Sequence, residues 1–89
     1  MKIVYPAKFK RGGDGRFLVT FRDLPEAATD GATMTEARAE ATDALNSALS
    51  FRMKYREDIT APSKARKGEE LVAPDTDVAL KIALYIAMR

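Results

Sequence analysis

The sequence predicts a small α+β domain, in which a small antiparallel sheet of three or four strands packs on one long helix in the order β-β-β-α-β-α. Two segments near the amino end, residues 2–10 and 16–21, alternate apolar and polar side chains, as strands with one buried face do. Residues 33–55 instead repeat apolar side chains at helical spacing. A chain of 89 residues has room for one such domain with a thin core.

The two amino-terminal strands form a predicted hairpin around the turn-forming residues 11–15. The side chains expected on the inner face of the sheet are Ile3, Tyr5, Ala7 and Phe9, followed by Phe17, Val19 and Phe21. Because Pro6 has no N–H group to donate to a neighbouring strand, we expect the first strand to lie at a sheet edge or to bulge at Pro6. A third, short strand is expected at residues 27–30, after the break at Pro25.

The long helix is the element around which the rest of the chain is organised. Thr33 and Glu36 have the spacing of a capping box, which predicts the start of the helix, and the helix is expected to run to about Arg56. Its apolar stripe consists of Met34, Ala37, Ala41, Leu45, Ala48 and Tyr55. Three of these residues are alanine, so the helix can approach a flat sheet closely.

The carboxy-terminal third begins with an exposed loop at residues 57–68. A last strand is predicted at residues 69–73, and a second helix is predicted from Asp75 or Thr76 to Arg89.

The second helix has no polar face. Between residues 78 and 88 only Lys81 is charged, and a helix that is apolar all round is expected to be buried all round. We therefore expect residues 1–73 to form one domain, and residues 74–89 to begin a missing DNA-binding domain or to serve as an oligomerisation helix. The residues predicted to form an oligomer interface are Leu80, Leu84, Tyr85, Ile86 and Met88.

Composition argues against catalysis. The chain contains no histidine and no cysteine, which removes the commonest general base, the commonest transition-metal ligand and any thiol nucleophile. A metal-binding set for a nuclease could be imagined from Asp14, Asp23, Glu26 and Asp30. These acids fall in turns and at strand ends, where aspartate is common without function. We therefore expect a protein that is not an enzyme and has no cofactor, and we keep a ribonuclease-H-like nuclease as an alternative.

The net charge of +2 is mild, but the basic residues are grouped. The groups are Lys8, Lys10, Arg11 and Arg16 around the first hairpin and Lys64, Arg66 and Lys67 in the later loop. Such groups can contact phosphates, so a basic nucleic-acid-binding module is a further alternative. Edge-strand lysines that discourage aggregation are the preferred explanation. No signal peptide or membrane-length apolar run is evident, and we expect a cytoplasmic protein that does not associate with membranes.

Three motifs in this order resemble the HicB antitoxin family. They are Y-P-A at residues 5–7, D-G-R-F-L-V-T-F-R-D-L-P at residues 14–25, and T-D-G-A-T-M-T-E-A at residues 29–37. The resemblance covers residues 3 to about 50. In addition, K-I-A-L-Y-I-A-M-R at residues 81–89 is similar to the segment that opens the carboxy-terminal DNA-binding half of many members.

The resemblance implies a partly degraded ribonuclease-H-like fold and the role of an antitoxin in a type II toxin–antitoxin system. The implied partner is a HicA-type toxin, a small messenger-RNA-cleaving protein whose active site the antitoxin occludes. A homo-oligomer (dimer or tetramer) that represses its own operon, through a carboxy-terminal DNA-binding part missing from this chain, is also implied.

Charge suggests where such a toxin would be contacted, because acids can meet a basic RNA-binding surface. The residues predicted to face the toxin are Asp23, Leu24, Pro25, Glu26, Glu36, Glu40 and Asp43. The alternative roles for these residues are turn formation, helix capping and solvation.

Overall fold

Apolar alternation and helical spacing produce the elements that the sequence predicts. In the computed structural model, which describes residues 2–88, the strands are β1 (Tyr5–Arg11), β2 (Phe17–Phe21), β3 (Thr29–Gly31) and β4 (Glu69–Val72), and the helices are α1 (Met34–Lys54) and α2 (Thr76–Ala87). The strands form one antiparallel sheet in the order β3-β2-β1-β4. The predicted fold class and the predicted order of elements are confirmed.

The first strand lies inside the sheet and its pairing runs without a bulge at Pro6, so neither of the two predicted positions for Pro6 is correct. β1 pairs with β2 on one side and with β4 on the other. The ladder with β2 ends at Ala7, which faces Phe21, whereas Pro6 lies one residue further along and faces Leu71 of β4. The missing N–H of Pro6 therefore interrupts no pairing with β2. The edges of the sheet are β3 and β4.

The third strand begins later than predicted. Residues Pro25–Ala27 form a 3₁₀ turn, and the strand occupies Thr29–Gly31 instead of residues 27–30. Pro25 lies in the first turn of this short helix, where its fixed φ angle suits the geometry and no N–H is required. Ala27 is consequently buried by the turn and takes no part in the sheet.

The core lies between the inner face of the sheet and α1. The buried residues that these elements contribute are Tyr5, Ala7, Val19, Phe21, Val72, Ala37, Ala41, Leu45, Ala48 and Leu49. Leu49 is absent from the predicted stripe. Tyr55, a member of the predicted stripe, is 56% exposed because it lies at the C-cap, past the last turn of α1. The alanines let α1 pack closely on the sheet.

The second helix packs on the same core along one side only. Ile82 is fully buried, and Val78, Ala79 and Ile86 are partly buried against the core. Residues 76–87 are therefore joined to the predicted 1–73 domain by packing as well as by the chain. The predicted burial of α2 on all sides is not reached within this chain and would need a further partner.

Candidate partner-binding site

The first part of the predicted site lies on the amino-terminal half of α1. Glu36, Glu40 and Asp43 follow one another at i, i+4 and i+7 on one exposed face, and we call these three residues the acidic stripe. Within residues 2–88, neither Glu40 nor Asp43 forms an ion pair with another side chain. Both carboxylates are available to an incoming cationic group.

Glu36 also has a structural role. The hydroxyl of Thr33 accepts a hydrogen bond from the Glu36 N–H at 3.1 Å, and the Glu36 carboxylate accepts one from the Ala32 N–H at 3.3 Å. The Thr33 half of this arrangement is the cap that the sequence predicts, whereas the Glu36 carboxylate reaches the N–H of the residue before the N-cap, Ala32, and not that of Thr33 itself. Replacement of Glu36 would therefore disturb the helix as well as any partner contact.

The second part of the predicted site follows β2, and two of its residues face inward. The Asp23 carboxylate accepts hydrogen bonds from the N–H and hydroxyl of Ser63, at 2.8 and 2.7 Å, and only 7% of its side chain is exposed. It thereby fastens the loop that precedes β4. Leu24 is fully buried in the core. Its side chain offers no surface to a partner in this structure, so we correct the predicted contact set by leaving Leu24 out of it.

Pro25 and Glu26 are exposed, and Glu26 is tied to the far end of α1. The Arg52 guanidinium donates to both carboxylate oxygens of Glu26, with Nη2 3.0 Å from Oε1. These hydrogen bonds hold the pKa of Glu26 below its ordinary value. Arg52 also donates to the Asp58 carbonyl at 3.1 Å. Beside this pair, a groove of about 590 Å³ is lined by Glu26, Ala44, Ser47, Ala48, Phe51, Arg52 and Glu57.

The two parts of the predicted site lie at opposite ends of α1. Glu36 is in the first turn, whereas Arg52, which holds Glu26, is 16 residues later. At 1.5 Å per residue, these positions are roughly 24 Å apart along the helix axis. The structure thus separates the predicted site into the acidic stripe and a second patch at Pro25 and Glu26.

The predicted oligomer interface is also divided. Leu80, Leu84 and Met88 are 68%, 62% and 77% exposed, and we call these residues the α2 apolar face. Ile86 instead packs partly against the core, and the Tyr85 hydroxyl donates to the Glu57 carbonyl at 2.9 Å. The side chains of Tyr85 and Ile86 are therefore partly engaged in contacts within this chain.

The four acids imagined as a nuclease site do not converge on one point, although Asp14 and Asp30 both contact Arg16. The Asp14 carboxylate accepts from the Arg16 N–H at 3.0 Å, and Asp30 pairs with the Arg16 side chain at 2.9 Å. Asp23 and Glu26 have the separate roles described above. Residues 2–88 contain no cluster of three or more carboxylates placed to hold a metal ion. In the same part of the chain, no helix is long and apolar enough to cross a membrane.

Sequence reasoning did not find one feature of the sheet. Where β2 ends beside β1, a depression of about 510 Å³ is lined by Lys8, Thr20, Phe21, Arg22, Pro25, Arg66, Lys67 and Glu69. Its basic side chains come from β1, from the end of β2 and from the loop before β4. No local motif could have predicted this grouping, because only the pairing of β1 with β4 brings these segments together.

The fold is that of an antitoxin domain already known from a crystal structure. The N-terminal domain of Burkholderia pseudomallei antitoxin HicB superimposes with a TM-score of 0.70 at 19% sequence identity, over 82% of this chain and 99% of that one. A family model for the HicB-like antitoxin of bacterial toxin–antitoxin systems matches residues 4–83. The chain therefore belongs to the family of HicB-like antitoxins, as its motifs suggested.

Two curated relatives give the degree of similarity. Antitoxin HicB 2 of Photorhabdus laumondii is 42% identical over 84 residues, which cover 94% of this chain and 58% of that protein. Antitoxin HicB of Escherichia coli K12 is 35% identical over 83 residues, which cover 93% of this chain and 60% of that protein. The chain thus spans a little under two thirds of the length of these relatives.

Proposed function

We propose that this chain is the toxin-binding part of an antitoxin and that its partner is a HicA-type messenger-RNA-cleaving toxin. The observation that carries the proposal is membership of the HicB-like antitoxin family across residues 4–83. The names of the two relatives, both antitoxins, support the same role. The chain acts by covering its partner and carries out no reaction itself.

The acidic stripe is the proposed centre of the contact surface. Its carboxylates project from one rigid helix, and Glu40 and Asp43 are not engaged by other side chains within residues 2–88. A protein that cleaves RNA presents cationic groups to phosphates, and such groups pair with carboxylates across an interface. Occlusion of that basic surface would deny the toxin its substrate.

A second contact is proposed at Pro25 and Glu26, at the other end of α1. A partner that reached both patches would extend along most of the helix. Asp23 stabilises the surroundings of this second patch, because its carboxylate holds the neighbouring loop through hydrogen bonds from Ser63.

The remaining proposals concern assembly and regulation. We propose that the α2 apolar face is covered in a homo-oligomer, dimer or tetramer, to which Tyr85 and Ile86 contribute their outer edges. Autorepression would use a DNA-binding part outside these 89 residues, with residues 74–89 leading into it. The cytoplasm is the proposed location, and a ribonuclease-H-like ancestry is the proposed origin of the fold.

Charge reversal tests the contact surface. Glu40→Lys and Asp43→Lys should each weaken binding to a HicA-type toxin by about tenfold, equivalent to about 1.4 kcal/mol, because an attraction becomes a repulsion. Isothermal titration calorimetry measures the affinity. Asp77→Lys is the matched control, since it reverses an acid on α2 and should leave the affinity nearly unchanged.

The two ways in which the proposal can fail are distinguishable. Unchanged affinity in both α1 variants would exclude the acidic stripe while leaving the antitoxin function intact. Absence of binding between the unaltered chain and any HicA-type toxin from the same genome would exclude the proposed function.

A further inference from the structure

We propose that the outer face of the sheet is a second binding surface, which holds the phosphate backbone of a nucleic-acid duplex. The surface is centred on the basic cleft, defined by Lys8, Arg22, Arg66 and Lys67 around Glu69. Its strand residues Lys8 and Glu69 are paired across β1 and β4 on the side of the sheet that faces away from α1. The proposal does not depend on the antitoxin function.

Lys8 and Lys10 are not on an edge strand, so protection of a sheet edge does not explain them. Lysines on an edge strand discourage edge-to-edge aggregation, but β1 lies between β2 and β4. Lys8 and Lys10 therefore protect no sheet edge. They are instead two exposed cations on the solvent-facing side of an interior strand.

The fold brings Lys8, from the first basic group of the sequence, beside Arg66 and Lys67 from the second. Lys8 faces Glu69 across the β1–β4 ladder, and the loop before β4 places Arg66 and Lys67 on the same depression. Lys8 and Arg66 are 58 positions apart in the sequence. Four cationic side chains and one carboxylate line the cleft, which gives it a net charge of +3.

The single acid in the cleft, Glu69, is already hydrogen-bonded to arginine residues of the cleft. The Glu69 carboxylate accepts from Arg22 Nε at 2.9 Å and Nη2 at 3.1 Å, and from the Arg66 N–H at 2.7 Å. These hydrogen bonds hold the pKa of Glu69 below its ordinary value, so it remains ionised and paired. Within residues 2–88, the side chains of Lys8 and Lys67 form no ion pair. Their charges are free for an anionic ligand.

The side chains on this surface favour contact with a phosphate backbone over contact with unpaired bases. Lys10 continues the row of Lys8 two residues along β1, about 7 Å away at strand spacing. Its cross-strand neighbour on the outer face is Leu18, and the next is Thr20 beside Lys8. Single-strand binding surfaces carry exposed aromatic rings for stacking, and these outer positions of β1 and β2 carry none. Contact with duplex phosphates requires only the cations.

Salt-dependent binding tests this surface directly. The 89-residue chain is titrated into a short mixed-sequence DNA duplex, the same sequence as an RNA duplex, and one of the single strands, at several salt concentrations. We expect at least one duplex to bind more tightly than the single strand. In a plot of the logarithm of the binding constant against the logarithm of the salt concentration, the double variant Lys8→Gln, Lys67→Gln should make the negative slope shallower by about 2, because each phosphate contact contributes roughly −0.9.

A control variant with the same loss of charge carries its substitutions on the two helices, away from the basic cleft. Lys54→Gln with Lys81→Gln neutralises one cation on each helix and should leave the slope unchanged. An equal loss of binding in both double variants, preference for the single strand, or no duplex binding at low salt would overturn the proposal. Circular dichroism of each variant establishes that the fold is kept, since all four lysines are exposed.

Discussion

Gly31 illustrates how closely α1 approaches the sheet. A Cβ atom at this position would lie 2.5 Å from the Ala37 nitrogen and 2.7 Å from its Cα, both of which are backbone atoms. Backbone at the start of a helix cannot move aside as a flexible side chain can. The glycine is therefore required for space, in the strand that leads directly into the helix.

Gly31→Ala should destabilise the protein by about 1–3 kcal/mol, the usual range for overpacking a filled site. Urea unfolding followed by circular dichroism gives the difference. Gly13→Ala, in the β1–β2 turn, is the matched control, because a methyl group there would meet nothing within 4 Å beyond its chain neighbours. Equal stability of the two variants would show that α1 can shift away from β3.

Tyr5 connects the core to the loop before β4. Its ring is fully buried and its hydroxyl donates to the Thr60 carbonyl at 2.9 Å. Burial raises the pKa of Tyr5 from 10.0 to about 12, so the hydroxyl keeps its proton in alkaline solution as well as at neutral pH. The sequence predicted the buried face of Tyr5 from alternation alone. It contained no signal for Thr60, which lies 55 residues away.

At the scale of elements, the carboxy-terminal end of α1 is joined to the 3₁₀ turn by Glu26 and Arg52. Arg52 lowers the pKa of Glu26 from its ordinary value of 4.5, chiefly through their hydrogen bonds. A carboxyl whose pKa is lower in the folded state stabilises the fold above its unfolded pKa. That contribution is lost as the pH falls through the lowered value.

We therefore expect the unaltered chain to lose stability below about pH 4.5 more steeply than Glu26→Gln does. The difference should be less than about 1 kcal/mol, because the pair is partly exposed to solvent. Thermal unfolding at a series of pH values measures it. Parallel pH profiles for the two proteins would show that the pair contributes nothing to stability.

At the scale of the whole molecule, α2 is the element left incompletely covered. Its inner side closes the core through Ile82, while the α2 apolar face remains open to solvent. Leu80→Asp with Leu84→Asp should reduce the mass measured by sedimentation without loss of the fold, because charges would be buried between subunits. Ile82→Ala is the contrasting variant, and it should lower stability by about 2–5 kcal/mol. A monomeric unaltered chain would contradict the proposed assembly.

The sequence by itself determined the class of fold, the order of its elements and the start of α1. These follow from local signals, since alternation, helical spacing and the Thr33–Glu36 capping box act over a few residues. Only the tertiary structure decided that β1 lies inside the sheet, that Leu24 and Asp23 face inward, and that Lys8 and Lys67 line the same cleft. Those features depend on pairing between segments far apart in the chain, and a pattern read along the sequence cannot specify which distant strand will become a neighbour.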